Sequence, residues 1–122
     1  TVQPLVWTGA QDGNAWKQRP LPIGFTRRCA FRSAVAEALD RAGIAWVDLV
    51  VSEEDLAIEA MVSADLCVHA ELECSDFSSR FEIDHNGELP MLPEHSIALY
   101  YNEKSGSPIA QALANYLEHA YE

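Results

Sequence analysis

Between Leu21 and Leu72 short apolar runs alternate with segments of helical period: Leu21-Pro-Ile-Gly-Phe25, Cys29 to Ala42, Trp46 to Val51, Glu53 to Ala64, and Cys67 to Leu72. A β-α-β-α-β order constrains the fold more than any other feature of this chain. Each helix carries the chain back across the sheet, so the strands it joins run parallel. Strand C-termini and helix N-termini then gather along one edge, where small ligands bind. The expectation is an α/β fold of Rossmann-like type, with a mixed, mainly parallel sheet and flanking helices.

The turn into the first of these helices reads Thr26-Arg27-Arg28-Cys29-Ala30-Phe31-Arg32. Three arginines therefore stand at or just inside a helix start. A helix N-terminus already offers unpaired N–H groups and the positive end of a dipole, and guanidinium groups there bias the site further toward anions.

Composition bounds the alternatives. At 122 residues and 13.5 kDa the chain is one domain or part of one. No apolar run approaches the length of about 20 residues that a spanning helix needs, so no membrane partner is expected. The net charge of −11 is unevenly divided: residues 1 to 41 hold six of the eight basic residues and three of the nineteen acids. An acidic total repels nucleic acid, and only Arg19 to Arg32 offers a basic cluster. Cys29, Cys67 and Cys74 are an odd number without a C-x-x-C pair, which together with the lack of a basic-then-apolar leader fits a reducing cytoplasm. The spacing of Cys67, His69, Cys74 and His85 matches no closed zinc pattern, so neither a metal nor another cofactor is expected.

Along the rest of the chain, Pro4 to Thr8 reads as a buried strand and Gly9 to Asn14 as a loop. Pro20 and Pro22 predict a second strand that starts late or bends. Thr26 is the expected N-cap of the first helix, whose inner side carries Phe31, Val35, Ala38, Leu39 and Ala42, with Gly43 ending it. Ser52-Glu-Glu-Asp55 resembles a capping box, ahead of an inner stripe of Leu56, Ala57, Ala60, Met61 and Ala64. Beyond a weakly patterned stretch come Arg80 to Asp84 as a short strand, His85 to Glu88 as a turn, and a proline-bracketed run from Leu89 to Pro93. Ser96 to Tyr101 reads as a strand. Ser107 then caps a helix from Pro108 to about Ala120, with Ile109, Ala112, Leu113, Tyr116, Leu117 and Ala120 at helical spacing.

These elements, in this order, resemble the regulatory domain of LysR-type transcriptional regulators. The likeness is carried by Pro4-Leu-Val-Trp7, Pro20-Leu-Pro-Ile leading to Cys29-Ala-Phe-Arg32, Ala36-Glu-Ala-Leu-Asp-Arg-Ala-Gly43, Ala45-Trp-Val47, the Ser52 helix start, Leu89-Pro-Met-Leu-Pro93, Ile97-Ala-Leu-Tyr100, and the closing helix. The resemblance implies a cytoplasmic bacterial regulator with an N-terminal winged helix-turn-helix and a two-lobed effector-binding domain working as a dimer or higher oligomer. This chain would be the C-terminal part of that domain. Residues of about 1–95 would form the second subdomain with its crossover strand, and about 96–122 the returning strand and last helix of the first. It would bind a small, anionic effector and, alone, no DNA. Where the family has a Gly-Leu-Gly phrase this chain has Asp65-Leu66-Cys67: Asp65 stands in place of a glycine that can take a left-handed conformation, which Asp tolerates more readily than most residues, and Cys67 adds a side chain that must be accommodated near the sheet.

On that resemblance the second lobe's share of the effector site falls on Thr26, Arg28, Cys29 and Phe31. Thr26 would donate its hydroxyl, the Cys29 to Phe31 amides would face a carboxylate, and Phe31 would pack on an apolar body. Capping and core packing explain Thr26 and Phe31 equally well, and Arg32 is expected to pair with an acid on the strands. No nucleophile elbow, phosphate loop or dinucleotide fingerprint is present, so no enzyme is expected. The alternatives are a lobe of a solute-binding transport protein and a thiol enzyme built on Cys29. Finally, an apolar stripe on the last helix without the sheet it covers in the family predicts self-association through that helix and the strand Ile97 to Tyr101.

Overall fold

The computed structural model describes residues 2–73, 80–96 and 108–120. The strands are β1 (Val2–Gly9), β2 (Leu21–Thr26), β3 (Trp46–Ser52), β4 (His69–Leu72), β5 (Phe81–Glu82) and β6 (Glu94–Ser96), and the helices are α1 (Phe31–Arg41), α2 (Asp55–Ser63) and α3 (Pro108–Ala120). A 3₁₀ turn, Ala15–Lys17, leads into β2.

The sheet is mixed. β2 and β3 run parallel from Leu21↔Trp46 to Thr26↔Ser52, and Val68 continues the parallel set through a bridge to Ile23. One residue later the chain becomes β4 and pairs antiparallel with β1, from Leu5↔Leu72 to Thr8↔His69. β5 and β6 also pair antiparallel with β1. Parallel pairing thus occupies the β3–β2–Val68 side, and β1 is the axis of the antiparallel side. Pro22 fits because N–H groups alternate sides along a strand. Leu21 donates to Ala45 O on the β3 side and Gly24 to Val68 O on the other, so the missing Pro22 N–H faces the β4 side one step before that ladder begins. The expected bend is a register shift between Ile23 and Gly24.

The main core gathers Leu5, Trp7, Leu21, Ile23, Phe25, Val35, Leu39, Val68 and Ala70 between the sheet and α1. Leu89 and Leu92 of the proline-bracketed run join it, held by the Trp7 indole N–H donating to Pro90 O at 3.0 Å. A second cluster of Ile58, Val62 and Cys67 packs α2 on the opposite face.

Three expectations are corrected. Thr26 does not cap α1. It is still paired with Ser52 in the ladder, and two turns follow, Cys29 N–H to Thr26 O and Arg32 N–H to Cys29 O, before the helix starts at Phe31 with Ala30 as an N-cap that makes no side-chain bond. Ser52 does not form a capping box: its hydroxyl accepts from Glu54 N–H at 3.1 Å, and α2 begins at Asp55. The inner face of α2 is Ile58 and Val62, whereas Leu56 is 76% exposed and Ala60 and Ala64 are exposed. Apolar residues surround this helix, so spacing alone does not select a face. The sheet selects the pair one turn apart that fills the space over Gly24.

Both helix ends follow one pattern. Ile44 N–H reaches Leu39 O and Gly43 N–H reaches Asp40 O, with Gly43 at φ +70; Leu66 N–H reaches Met61 O and Asp65 N–H reaches Val62 O, with Asp65 at φ 60. These are paired 6→1 and 5→2 Schellman closures. Asp65 replaces glycine there because its carboxylate has a second task, accepting from Asn14 N–H at 2.9 and 3.0 Å and Ala15 N–H at 3.0 Å. It thereby satisfies the start of the 3₁₀ turn. The strand Ile97 to Tyr101, Ser107 and Cys74 lie outside the described residues.

Candidate functional site

β2 ends at Thr26 and β3 ends beside it at Ser52, so the turns that follow the two strands share one rim. Arg27 N–H donates to Ser52 O at 3.1 Å and stitches them together. A hollow of about 360 Å³ opens there, lined by Thr26, Arg27 and Arg28 from the β2 side and by Glu53 and Asp55 from the start of α2. This is the strand C-terminal edge at which an α/β sheet of this order binds ligands.

The structure places Thr26 and Arg28 in this hollow, together with Arg27, Glu53 and Asp55, whose part the sequence reading missed. The register Thr26↔Ser52 brings the acids in, and that register is a tertiary fact. Cys29 and Phe31 stand elsewhere. Both are half-buried against the main core, and the Phe31 ring meets His95 edge-on at 5.0 Å. The Cys29 amide is already donated to Thr26 O. Arg32 forms an ion pair with Asp48 of β3, with Nε donating to Oδ1 at 3.2 Å, and lies over the Trp46 ring at 5.8 Å. It is structural, as expected.

A buried polar group lies on β1, β4 and the segment before β5. Glu71 is ion-paired to Arg80 at 2.6 Å and accepts from the Thr8 hydroxyl at 3.3 Å. His69 Nδ1 lies 2.7 Å from Gly24 O. A carbonyl can only accept, so Nδ1 carries the proton. Burial lowers the His69 pKa, an effect opposed by the Gly24 carbonyl and by the charges of Glu71 and Asp55 and reinforced by Arg80. Cys67 is fully buried, and burial pushes its thiol up to about 11. Among the described residues no group of three or more His, Cys, Asp or Glu side chains is arranged to hold a metal. Among them, too, no helix is long and apolar enough to cross a membrane.

Neither a protein-family model nor a curated protein matches the sequence. A solved structure does: the effector-binding domain of QuiR in complex with shikimate, at 18% identity and a TM-score of 0.52, over 95% of this chain and 60% of that one. The chain thus spans about 60% of the length of the domain it matches. It has the mixed α/β fold of an effector-binding domain.

Proposed function

We propose that this chain is the ligand-sensing, non-catalytic module of a cytoplasmic LysR-type DNA-binding transcriptional regulator, and that it binds a small effector by an anionic group at the hollow where β2 and β3 end. The observation that carries the reading is the pairing of two arginines with Thr26 at that edge, in a fold shared with the effector-binding domain of QuiR, a LysR-type regulator. Shikimate in that domain supports a small molecule as the ligand class. Thr26, Arg27 and Arg28 contact the anionic group, while Cys29 and Phe31 hold the turn by packing behind it. A non-catalytic role is supported by the two described cysteines: Cys67 is sealed in the core, and Cys29 is half-buried against the core. Copies of the chain associate through the exposed apolar residues of α3.

Amide chemical-shift mapping with a panel of small carboxylates tests this. The expected shifts cluster at residues 24–30 and 52–56. Arg28→Ala weakens binding by about tenfold, the equivalent of one charge-assisted hydrogen bond. Shifts confined to another surface, or affinity indifferent to Arg27 and Arg28, would overturn the reading.

A further inference from the structure

The hollow at the ends of β2 and β3 carries charges of both signs. Arg27 and Arg28 line one wall, and Glu53 and Asp55 line the other. Opposite charges this close in sequence-distant turns ordinarily neutralise each other by direct pairing. Here, among the described residues, the ion pairs are formed elsewhere, between Arg32 and Asp48, Arg41 and Glu37, and Arg80 and Glu71. Arg27, Arg28, Glu53 and Asp55 take part in none of them. One backbone tie, Arg27 N–H to Ser52 O, joins the two rims, and Glu54 N–H donating to the Ser52 hydroxyl braces the turn into α2. Two basic and two acidic residues thus line one space of about 360 Å³ with no ion pair, among the described residues, between its walls.

The two acids also change what the second helix start can bind. Asp55 is the first residue of α2 and Glu53 lies two residues before it. A helix N-terminus attracts anions through its free N–H groups and dipole, and carboxylates placed there satisfy that attraction from within. An anionic ligand group is therefore repelled from the α2 side and drawn to the arginine side. A ligand filling the hollow must present an anion to Arg27 and Arg28 and hydrogen-bond donors, best of all a cation, to Glu53 and Asp55.

We infer that the effector is a small zwitterion, with a carboxylate bound at Arg27 and Arg28 and an ammonium group bound at Glu53 and Asp55. The inference rests on the reading of this hollow as the effector site, and deepens it from an anion site to a site for an amino acid of about the hollow's span.

Three four-carbon probes separate the possibilities: 4-aminobutyrate, succinate and butyrate differ only at the carbon farthest from the shared carboxylate, which is an aminomethyl, a second carboxylate or a methyl group. Each is titrated into the whole chain in the millimolar range, with amide shifts at residues 24–30 and 52–56 as the readout. 4-Aminobutyrate is expected to bind about tenfold or more tightly than either of the others, because it alone pairs both walls. The double variant Glu53→Gln, Asp55→Asn is expected to reverse the order in favour of succinate, while circular dichroism confirms that α2 remains folded. Succinate or butyrate binding at these amides as tightly as 4-aminobutyrate would overturn the zwitterion and leave the effector site standing. No shift at these amides with any of the three would overturn both.

Discussion

A single sulfur atom dictates one residue of the central strand. A Cβ built on Gly24 would lie 2.7 Å from the Cys67 sulfur, closer than atoms in real proteins approach. Gly24 is needed for space and not for an unusual backbone angle. Gly24→Ala should therefore cost about 1–3 kcal/mol as overpacking, and less than about 0.5 kcal/mol in a Cys67→Ala background, where the remaining Cβ stands 3.8 Å away. Denaturant midpoints of the unchanged protein and the three variants measure this coupling, and equal penalties in both backgrounds would refute it. His69 allows a second test at this scale. Its folded pKa lies below the ordinary 6.5, so between those two values the unfolded chain binds more protons. Stability from the neutral ring is complete above 6.5 and is lost as pH falls through it toward the folded value. His69→Asn keeps a donor for the Gly24 carbonyl without a titrating ring. The expected outcome is a shallower loss of stability than in the unchanged protein as the pH falls from neutrality through the ordinary 6.5. Identical slopes would remove His69 as the cause.

At the scale of elements, the ion pair of Arg80 with Glu71 joins the segment before β5 to β4. The two side chains are 17% and 11% exposed. Removing one partner from so dry a pair strands a charge, and Arg80→Met is expected to cost about 3–5 kcal/mol. Replacing both, as Arg80→Met with Glu71→Leu, should recover at least half of that, since no charge is then left unpaired; the residual loss reflects the Thr8 hydroxyl, which donates to Glu71. Urea titration of the single and double variants reads the difference. A double variant no better than the single would mean that Glu71 serves through packing and not charge. The helix closures belong to this scale too. Gly43 ends α1 without any other duty, whereas Asp65 ends α2 and also holds the 3₁₀ turn fifty residues earlier through three hydrogen bonds. One residue thereby fixes the position of the loop ahead of β2 relative to α2.

For the molecule as a whole, α3 is the element whose apolar residues remain most exposed. Ile109 is 82% exposed, Tyr116 71% and Leu113 56%, while Ala114 on another side of the helix is buried. Large side chains at i, i+4 and i+7 make one stripe, and covering each is worth about 1.5–3 kcal/mol. Association of copies through this stripe is the expected outcome in sedimentation at high micromolar concentration. Ile109→Glu with Leu113→Glu, both on the outer face, should give a monomer with unchanged helix content. A monomer in the unchanged protein would count against association.

Alternation of apolar runs with helical periods determined the mixed α/β class and the parallel neighbours β2 and β3, and Gly43 marked the end of α1, because these depend on local pattern and local backbone sterics; the left-handed Asp65 was legible only through the family resemblance at that position. The Arg27-Arg28 turn was visible for the same reason. The face that α2 presents was not, since an apolar surface all round leaves the choice to whatever the sheet needs filled. Nor was the start of α1, where strand pairing of Thr26 with Ser52 outcompeted a local cap. The second wall of the hollow was decided by the tertiary structure alone: Glu53 and Asp55 lie about 25 residues from the arginines, and only the parallel register of β2 on β3 brings charges of opposite sign to one edge.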